Sequence, residues 1–277
     1  WNPAGLARQG LGVHASTIYW PADINISSVI VNMPSSIGSF AFQATMMSSG
    51  YMTQRTEFRP EGDGNVFDMT EQIFGASYAR SFTDKFSFGV TAKIMRQNVG
   101  GNLFFSEYSD ETWAFDVGTL YKITPSLVMG MSAQNFGPDL GYDFDNDGDG
   151  LLNEDPTDQI DNDLDGLIDE DDPEATQPLP LMFQVGVAYT LYESGPSKFV
   201  TMLKGLHFND NREEVSVGGE YSIMKMLFLR GGYRMNRDVG TWTAGAGVQI
   251  PLAQNGLSVD YAYSDLGYLS QAHRASL

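Results

Sequence analysis

Apolar and polar residues alternate along most of this chain. From Phe86 to Ile94 every second side chain is apolar, and the residues between them are Ser, Gly, Thr and Lys. The stretch from Trp242 to Ile250 repeats the pattern, with Thr, Gly and Gln in the alternate positions. A period of two is typical of β-strands whose two faces meet different surroundings, whereas a helix has a period near 3.6. The chain is therefore predicted to be all-β, with a short helical turn expected only near Asn2–Arg8.

Fourteen segments follow this alternation. They cover roughly residues 9–20, 23–33, 37–48, 72–82, 85–97, 111–123, 125–136, 179–192, 197–208, 213–224, 226–235, 240–251, 255–264 and 271–277. Most are longer than the five to six residues that are about average for strands of soluble domains. They match the roughly nine to eleven residues that a strand needs to cross a membrane.

The links between these segments alternate in length. Short links such as TDK (83–85) and TPS (124–126) alternate with longer ones, of which 49–71, 98–110 and 137–178 are the longest. Outer-membrane barrels have short periplasmic turns and longer outer loops. The sequence thus predicts a transmembrane outer-membrane β-barrel of about 14 antiparallel strands. A soluble β-sandwich or barrel is the alternative, and strand length and loop asymmetry both disfavour it.

The two faces of the predicted strands differ in chemistry. The apolar face carries aromatic residues toward the strand ends, as interfacial girdles require: Tyr19, Phe82, Phe86, Trp113, Tyr121, Tyr189, Phe208, Tyr233, Trp242 and Tyr263. The other face carries Gly, Ser, Thr and charges of both signs: Lys93, Asp116, Lys122, Glu220, Arg230, Arg234 and Asp260. We expect these charges to pair with one another across a lumen.

Negative charge is concentrated in one segment. The chain has 35 acidic and 16 basic residues, and sixteen of the acidic residues lie between Asp139 and Glu174. The rest of the chain is nearly neutral, and it has no basic run, which argues against nucleic acid as a partner. The chain has no Cys, which excludes disulfides and thiolate metal sites.

The acidic segment contains a repeated metal-binding pattern. Asp145-x-Asp147-x-Asp149-Gly150 recurs sixteen residues later, beginning at Asp161. Alternate Asp residues around a Gly turn supply the six to eight oxygen ligands that Ca²⁺ prefers. The predicted ligands are Asp145, Asp147, Asp149, Asn153, Asp161, Asp163, Asp165, Asp169 and Asp172. The alternative is a solvated acidic loop that holds no metal ion.

The pattern departs from an EF-hand at its twelfth position. Pro156 and Asp172 stand where a bidentate Glu is expected, and no flanking helices are predicted. The segment instead resembles thrombospondin type 3 and related short Asp-rich calcium repeats. The repeats lie on a predicted surface insertion and no helix pair is predicted that calcium could open, so a structural role is expected rather than calcium sensing.

Three stretches outside the acidic segment resemble a known family. WNPAGLA (Trp1–Ala7) resembles the segment that leads into the barrel of FadL-like outer-membrane proteins. The stretch Arg59–Met95 and the end DYAYSDLGYLSQAHRASL (Asp260–Leu277) are similar to the PorV/PorQ branch of that superfamily. The resemblance implies a fourteen-stranded outer-membrane barrel near type IX secretion, where PorV-like barrels associate with the translocon and receive cargo. The Asp-rich insert is not part of the family motif.

These observations define an expected domain organisation. Residues 1–8 lead into the barrel, after plug residues that we expect to precede them, and residues 9–277 form the barrel. The acidic calcium loop 137–178 is inserted between strands seven and eight, on the extracellular side of a bacterial outer membrane.

Three functions are compatible with this sequence. The first is a non-enzymatic barrel that binds a secretion translocon, cargo or surface protein. The second is a FadL-like channel with a hydrophobic ligand in the lumen, and the third is a structural anchor in a surface layer or filament. Outer-membrane lipid is the expected surrounding in each case. An enzyme is not expected, since His14, His207 and His273 are scattered and no catalytic motif is present.

The doubled motif generates a direct prediction about calcium. Isothermal titration calorimetry should detect Ca²⁺ binding to the wild-type protein and no binding to the Asp147→Ala, Asp163→Ala double variant, because each change removes a central carboxylate of one repeat. Unchanged Ca²⁺ binding in the double variant would refute the assignment.

Overall fold

The described part of the chain forms a closed antiparallel β-barrel. The computed structural model describes residues 2–55, 58–62, 64–101, 108–142, 175–209, 212–237, 240–252 and 255–277. Fourteen barrel strands lie in these ranges, and each pairs with its neighbours along the chain. The barrel closes where the first strand pairs with the last, with Ser16 opposite Ser276. No helix in these ranges is long and apolar enough to cross a membrane.

The barrel strands are numbered here in chain order. They are β1 Gly12–Tyr19, β2 Asn25–Ser35, β3 Gly38–Ser48, β4 Val66–Ser81, β5 Phe86–Gly101, β6 Tyr108–Thr124, β7 Leu127–Phe136, β8 Met182–Ser194, β9 Ser197–Phe208, β10 Glu214–Ile223, β11 Leu227–Met235, β12 Trp242–Leu252, β13 Asn255–Asp265 and β14 Gln271–Ser276. Shorter elements are the 3₁₀ helices Pro3–Arg8 and Gly267–Leu269 and the strands Met52–Thr53, Leu140–Tyr142 and Ala175–Gln177.

The predicted strand number and order are confirmed, and the largest differences fall on three neighbouring strands. β4 begins at Val66 rather than at residue 72, and β5 continues to Gly101 rather than 97. β6 begins at Tyr108, so most of the predicted link 98–110 is strand. Polar residues such as Glu71 and Gln97 weaken the alternation in these extensions. Pairing with a neighbouring strand keeps their backbone extended, with Glu71 opposite Gln97.

The two rims of the barrel differ in the length of their connections. Links 36–37, 82–85, 125–126, 195–196 and 224–226 join strands at one end, which we call the turn rim. Links 49–65, 102–107 and 137–181 join strands at the other end, the loop rim. The predicted asymmetry is therefore present.

Strand alternation separates an outer face from a lumen face. On β5 the side chains of Ser87, Thr91 and Lys93 are buried in the lumen, while Val90 and Ile94 are exposed on the outside. The predicted aromatics are also largely exposed on the outer surface: Tyr19, Phe82, Trp113, Tyr121, Tyr189, Tyr233 and Trp242. The assignment of Phe208 to this face is wrong. It pairs with Met182 at the end of β9 and lies two residues beyond lumen-facing Leu206.

The N-terminal segment lies inside the barrel against strands β4–β6. The Asn2 side-chain amide donates hydrogen bonds to the carbonyl oxygens of Thr119 (2.9 Å) and Met131 (3.0 Å). Its Oδ1 accepts a hydrogen bond from the Ala4 N–H at 3.0 Å, which caps the helix Pro3–Arg8. Ala4 is completely buried.

Glycines on the lumen wall make room for this segment. A Cβ at Gly89 would lie 2.5 Å from the Pro3 carbonyl carbon, and one at Gly118 would lie 2.1 Å from Asn2 Oδ1. Any larger residue at these positions would push the segment away from the wall. The binding surface for the N-terminal segment, which we call the glycine seat, is therefore formed by Gly89 and Gly118, more than eighty residues further along the chain.

Adding one methyl group to the glycine seat should displace the N-terminal segment. Gly118→Ala should displace the N-terminal segment and speed amide hydrogen exchange in residues 2–9, as measured by mass spectrometry on the protein in neutral detergent. Gly231→Ala is the matched control, because a Cβ there has no atom within 4 Å. Equal exchange of residues 2–9 in both variants would show that the glycine seat does not hold the segment.

Candidate functional site in the barrel lumen

A buried ion pair joins β5 and β6 above the N-terminal segment. The Lys93 ammonium lies 2.8 Å from Asp116 Oδ1, and the two side chains are only 7% and 9% exposed. Lys93 also donates a hydrogen bond to Asn135 Oδ1, and Asp116 Oδ1 accepts one from the Asn135 N–H at 2.8 Å. These additional bonds satisfy polar atoms that would otherwise be buried without partners.

Asn135 lies at a bulge near the end of β7, close to the loop rim. Its φ of +63° lies in the left-handed region, which Asn adopts more readily than most residues. Between Phe115 and Val117 the pairing of β6 with β7 shifts register, so β7 contains a bulge here. The Asn135 side-chain amide donates to the Pro180 carbonyl oxygen at 2.8 Å. One residue thus links the ion pair, the bulge and the far end of the long loop.

The two ends of the long loop pack an apolar cluster into the lumen mouth. Leu140 and Leu179 are buried with Met95 and Ala114 of the barrel wall, and Ile73 packs against them. We call these five residues the mouth cluster. Around it, Thr112 donates to the carbonyl oxygen of Pro138, and Asn209 donates to that of Leu179 at 3.0 Å. Along β4–β7 the lumen therefore holds the N-terminal segment, the ion pair and the mouth cluster in succession.

The opposite wall, formed by β9–β14, encloses a hollow. The hollow has a volume of about 570 Å³, which lies within the range of roughly 300–1,000 Å³ that is typical of small-molecule sites. Its wall includes Gly218, Gly232 and Gly245, which carry no side chain to fill the space. Lys204, Arg230, Arg234 and Arg274 also line it. The lumen is thus filled on one side and open, polar and rich in cations on the other.

A second charged group forms one edge of this hollow. Arg230 Nε lies 2.6 Å from Glu220 Oε2, and the same guanidinium contacts Asp260 Oδ1. Ser258 donates to Asp260 Oδ2 at 2.9 Å. A Cβ at Gly247 would lie 2.1 Å from Asp260 Oδ1, so this glycine admits the carboxylate. Two carboxylates share this one guanidinium.

The prediction that lumen charges pair with one another is confirmed for five of the seven predicted residues. Lys93 binds Asp116, and Arg230 binds Glu220 and Asp260, as expected for charges of opposite sign that share a lumen. Arg234 lines the hollow, and Lys122 lines a cleft at the turn rim with Arg8.

Sequence reasoning missed several residues of the lumen. Lys204 and Glu214 occupy the lumen positions of β9 and β10, and strand parity could have identified them. Nothing in the local sequence identifies Leu140 and Leu179 as partners, since they belong to opposite ends of a long loop.

Other predicted sites have separate outcomes. All nine predicted calcium ligands lie in the range 143–174, outside the described residues. Within the described residues, no group of three or more His, Asp or Glu side chains is arranged to hold a metal ion. His207 lies 3.4 Å from Glu213, and His273 Nδ1 lies 2.6 Å from the Tyr261 hydroxyl. The three His residues belong to β1, β9 and β14.

Several solved structures are similar in fold to this chain. The toluene transporter TodX of Pseudomonas putida matches with a TM-score of 0.61 and 11% identity, over 99% of this chain and 89% of TodX. The fold is an outer-membrane β-barrel. A FadL homologue from Pseudomonas aeruginosa matches with a TM-score of 0.56 and 14% identity, over 99% of this chain and 90% of that one.

A third solved structure extends the same group. The monoaromatic hydrocarbon channel CymD matches with a TM-score of 0.54 and 12% identity, over 99% of this chain and 89% of CymD. No protein-family model matches the chain, and no curated protein sequence matches it. At these identities the likeness establishes the fold.

The buried ion pair generates a stability prediction with a control on the same two strands. Asp116→Ala leaves the Lys93 ammonium buried without its carboxylate and should lower the free energy of unfolding by about 3–5 kcal/mol. Glu111→Ala breaks the Arg96–Glu111 pair, whose side chains are 54% and 47% exposed, and should cost at most about 1 kcal/mol. Urea unfolding in lipid vesicles, followed by Trp fluorescence, measures both. Equal losses would mean that burial does not decide the contribution of the Lys93 pair.

Proposed function

We propose that the protein is an outer-membrane channel for hydrophobic small molecules. The observation that carries this proposal is the mouth cluster, which places buried apolar side chains in the lumen at the loop rim. A water-filled pore would have polar side chains at that level. The likeness in fold to TodX and CymD, a toluene transporter and a monoaromatic hydrocarbon channel, supports the same proposal.

The wall formed by β4–β7 fits passage of such solutes better than free diffusion of water and ions. An apolar solute gains about 25 cal/mol for each Å² of its surface that leaves water, so apolar contacts at the mouth favour its entry. The seated N-terminal segment then fills part of the turn-rim side of the lumen. A solute that moves along this wall must displace packed side chains. An apolar solute gains contact free energy that offsets this cost, whereas water and ions do not.

The other two roles stay predictions from the sequence. A secretion-associated barrel of PorV/PorQ type and an anchor in a surface assembly both need a protein partner. No contact among the described residues favours either role over a channel.

We also propose that the acidic segment binds calcium on the extracellular side. The repeated Asp pattern supports this proposal, and so does the way the chain enters and leaves the segment. Tyr142 pairs with Ala175 in the short hairpin formed by Leu140–Tyr142 and Ala175–Gln177. The Gly141 N–H donates to Asp110 Oδ2 of β6 at 2.7 Å. The hairpin therefore fixes both ends of the acidic segment to the barrel at the loop rim, where a calcium-ordered loop would modify access to the lumen.

Uptake measurements test the channel. Gram-negative cells that express the protein and lack their own hydrophobic-solute channels should accumulate a radiolabelled monoaromatic hydrocarbon several-fold faster than cells with an empty vector. The purified protein should at the same time give little ion current in a planar bilayer. No gain in uptake, or the large steady current of an open pore, would refute the proposal.

The mouth cluster supplies a variant for the same assays. Leu179→Asn puts a polar amide into the cluster and should loosen it, so ion current rises and the preference for apolar over hydrophilic solutes falls. Leu269→Asn is the matched control, because Leu269 is exposed in the short 3₁₀ helix Gly267–Leu269 at the same rim. Identical currents from the two variants would exclude a barrier at the mouth cluster.

A further inference from the structure

One row of lumen positions brings two cations close together. Lys204 of β9 pairs with Ser216 of β10, which pairs in turn with Arg234 of β11. Neighbouring strands lie about 4.8 Å apart, so the two cationic residues flank Ser216 with their backbones roughly 10 Å apart. Both side chains are half-buried and both line the hollow. Like charges at this spacing repel each other unless an anion lies between them.

The nearby carboxylate does not neutralise this pair. Glu214 lies 3.5 Å from Arg237 and accepts a hydrogen bond from the Ser216 hydroxyl at 3.0 Å. Lys204 lies within electrostatic range of Glu214, Arg234 and Arg237, which leaves three cations around one carboxylate. Within the described ranges, neither the Lys204 ammonium nor the Arg234 guanidinium has a hydrogen-bonded or ion-paired partner.

Space for a ligand lies directly beside the two cations. The next lumen row toward the turn rim holds Gly218 opposite Gly232, and Gly232 opposite Thr243. The two glycines contribute no side chain to the 570 Å³ hollow at this level, where the lining side chain is that of Thr243. The Arg230 guanidinium on the following row is already held by Glu220 and Asp260. The free positive charge is therefore at the Lys204–Arg234 end of the hollow.

We propose that this hollow is a binding site for an oxyanion, namely the phosphate, sulfate or carboxylate group of a solute. Lys204 and Arg234 contact the anion from two sides, and the Thr243 hydroxyl donates a third hydrogen bond from the adjoining row. An oxyanion fits because a guanidinium and an ammonium both donate charge-assisted hydrogen bonds to such oxygens. The site goes beyond the proposed channel, since binding here needs no hydrophobic solute and lies on the wall opposite the mouth cluster.

Titration calorimetry on the protein in neutral detergent at low salt tests the site with three probes. These are inorganic phosphate, monohexyl phosphate and hexanol. We expect both phosphates to bind, more weakly as salt is raised because screening reduces the attraction, and hexanol not to compete with them. Equal affinity for the two phosphates identifies a site for free oxyanions. Much tighter binding of monohexyl phosphate identifies a site for the headgroup of an amphiphile.

Charge variants locate the binding. Lys204→Gln and Arg234→Gln should each weaken phosphate binding about tenfold or more, as expected for loss of a hydrogen bond to a charged group. Arg234→Lys should retain part of the affinity. Glu214→Gln should tighten binding several-fold, because it removes the carboxylate that competes with the ligand for both cations.

Arg80→Gln is the matched control, since Arg80 is an exposed cation on β4 that points away from the lumen. Its affinity should equal that of the wild type, and retention of the barrel in every variant is checked by its heat-dependent migration on gels. Absence of phosphate binding to the wild type overturns the proposal. So does binding that is unchanged in both Lys204→Gln and Arg234→Gln. Neither result bears on hydrocarbon uptake, which the uptake assay measures separately.

Discussion

The structure depends on one constraint, that no backbone N–H or C=O group can stay unpaired in the hydrocarbon layer. A sheet meets this constraint only when it has no edges, and here β1 pairs with β14 to remove them. Closure fixes the register of every strand. Register in turn assigns each side chain to the lipid or to the lumen, because alternate residues point to opposite faces. Closure therefore places the Lys93 side chain in the lumen and the Trp113 side chain on the outer surface of the barrel.

Glycine residues on the lumen wall determine where other groups fit in the lumen. Gly89 and Gly118 let the N-terminal segment lie against the wall, and Gly247 admits the Asp260 carboxylate. Across the barrel, Gly218 and Gly232 leave a hollow that no part of the described chain fills. Glycine weakens a strand in isolation, but a closed barrel can tolerate it because pairing on both sides holds the backbone extended.

Charge and apolar surface are separated within the lumen. The wall formed by β4–β7 carries the mouth cluster and a buried ion pair whose charges cancel. The wall formed by β9–β14 carries more cations than carboxylates, in a chain whose net charge is −19. A solute with an apolar body and an anionic group would meet a suitable surface on each wall. Under the proposed channel and oxyanion site, the two walls would bind different parts of one solute or two different solutes.

The sequence by itself determined the strand number, the order of the strands and the identity of most lumen and outer residues. This was possible because the period of two is a local property, visible in a short stretch of one strand such as the nine residues 86–94. The sequence also located the acidic repeat, which lies outside the described residues. Only the tertiary structure decided which lumen residues meet.

Arg230 contacts a carboxylate thirty positions away, and Lys93 contacts Asn135 through a bulge in β7. Asn2 binds carbonyl groups more than a hundred positions away. These contacts depend on register and on barrel closure, which are properties of the whole sheet. No local pattern of residues encodes them, and for that physical reason the candidate sites became visible only in the folded barrel.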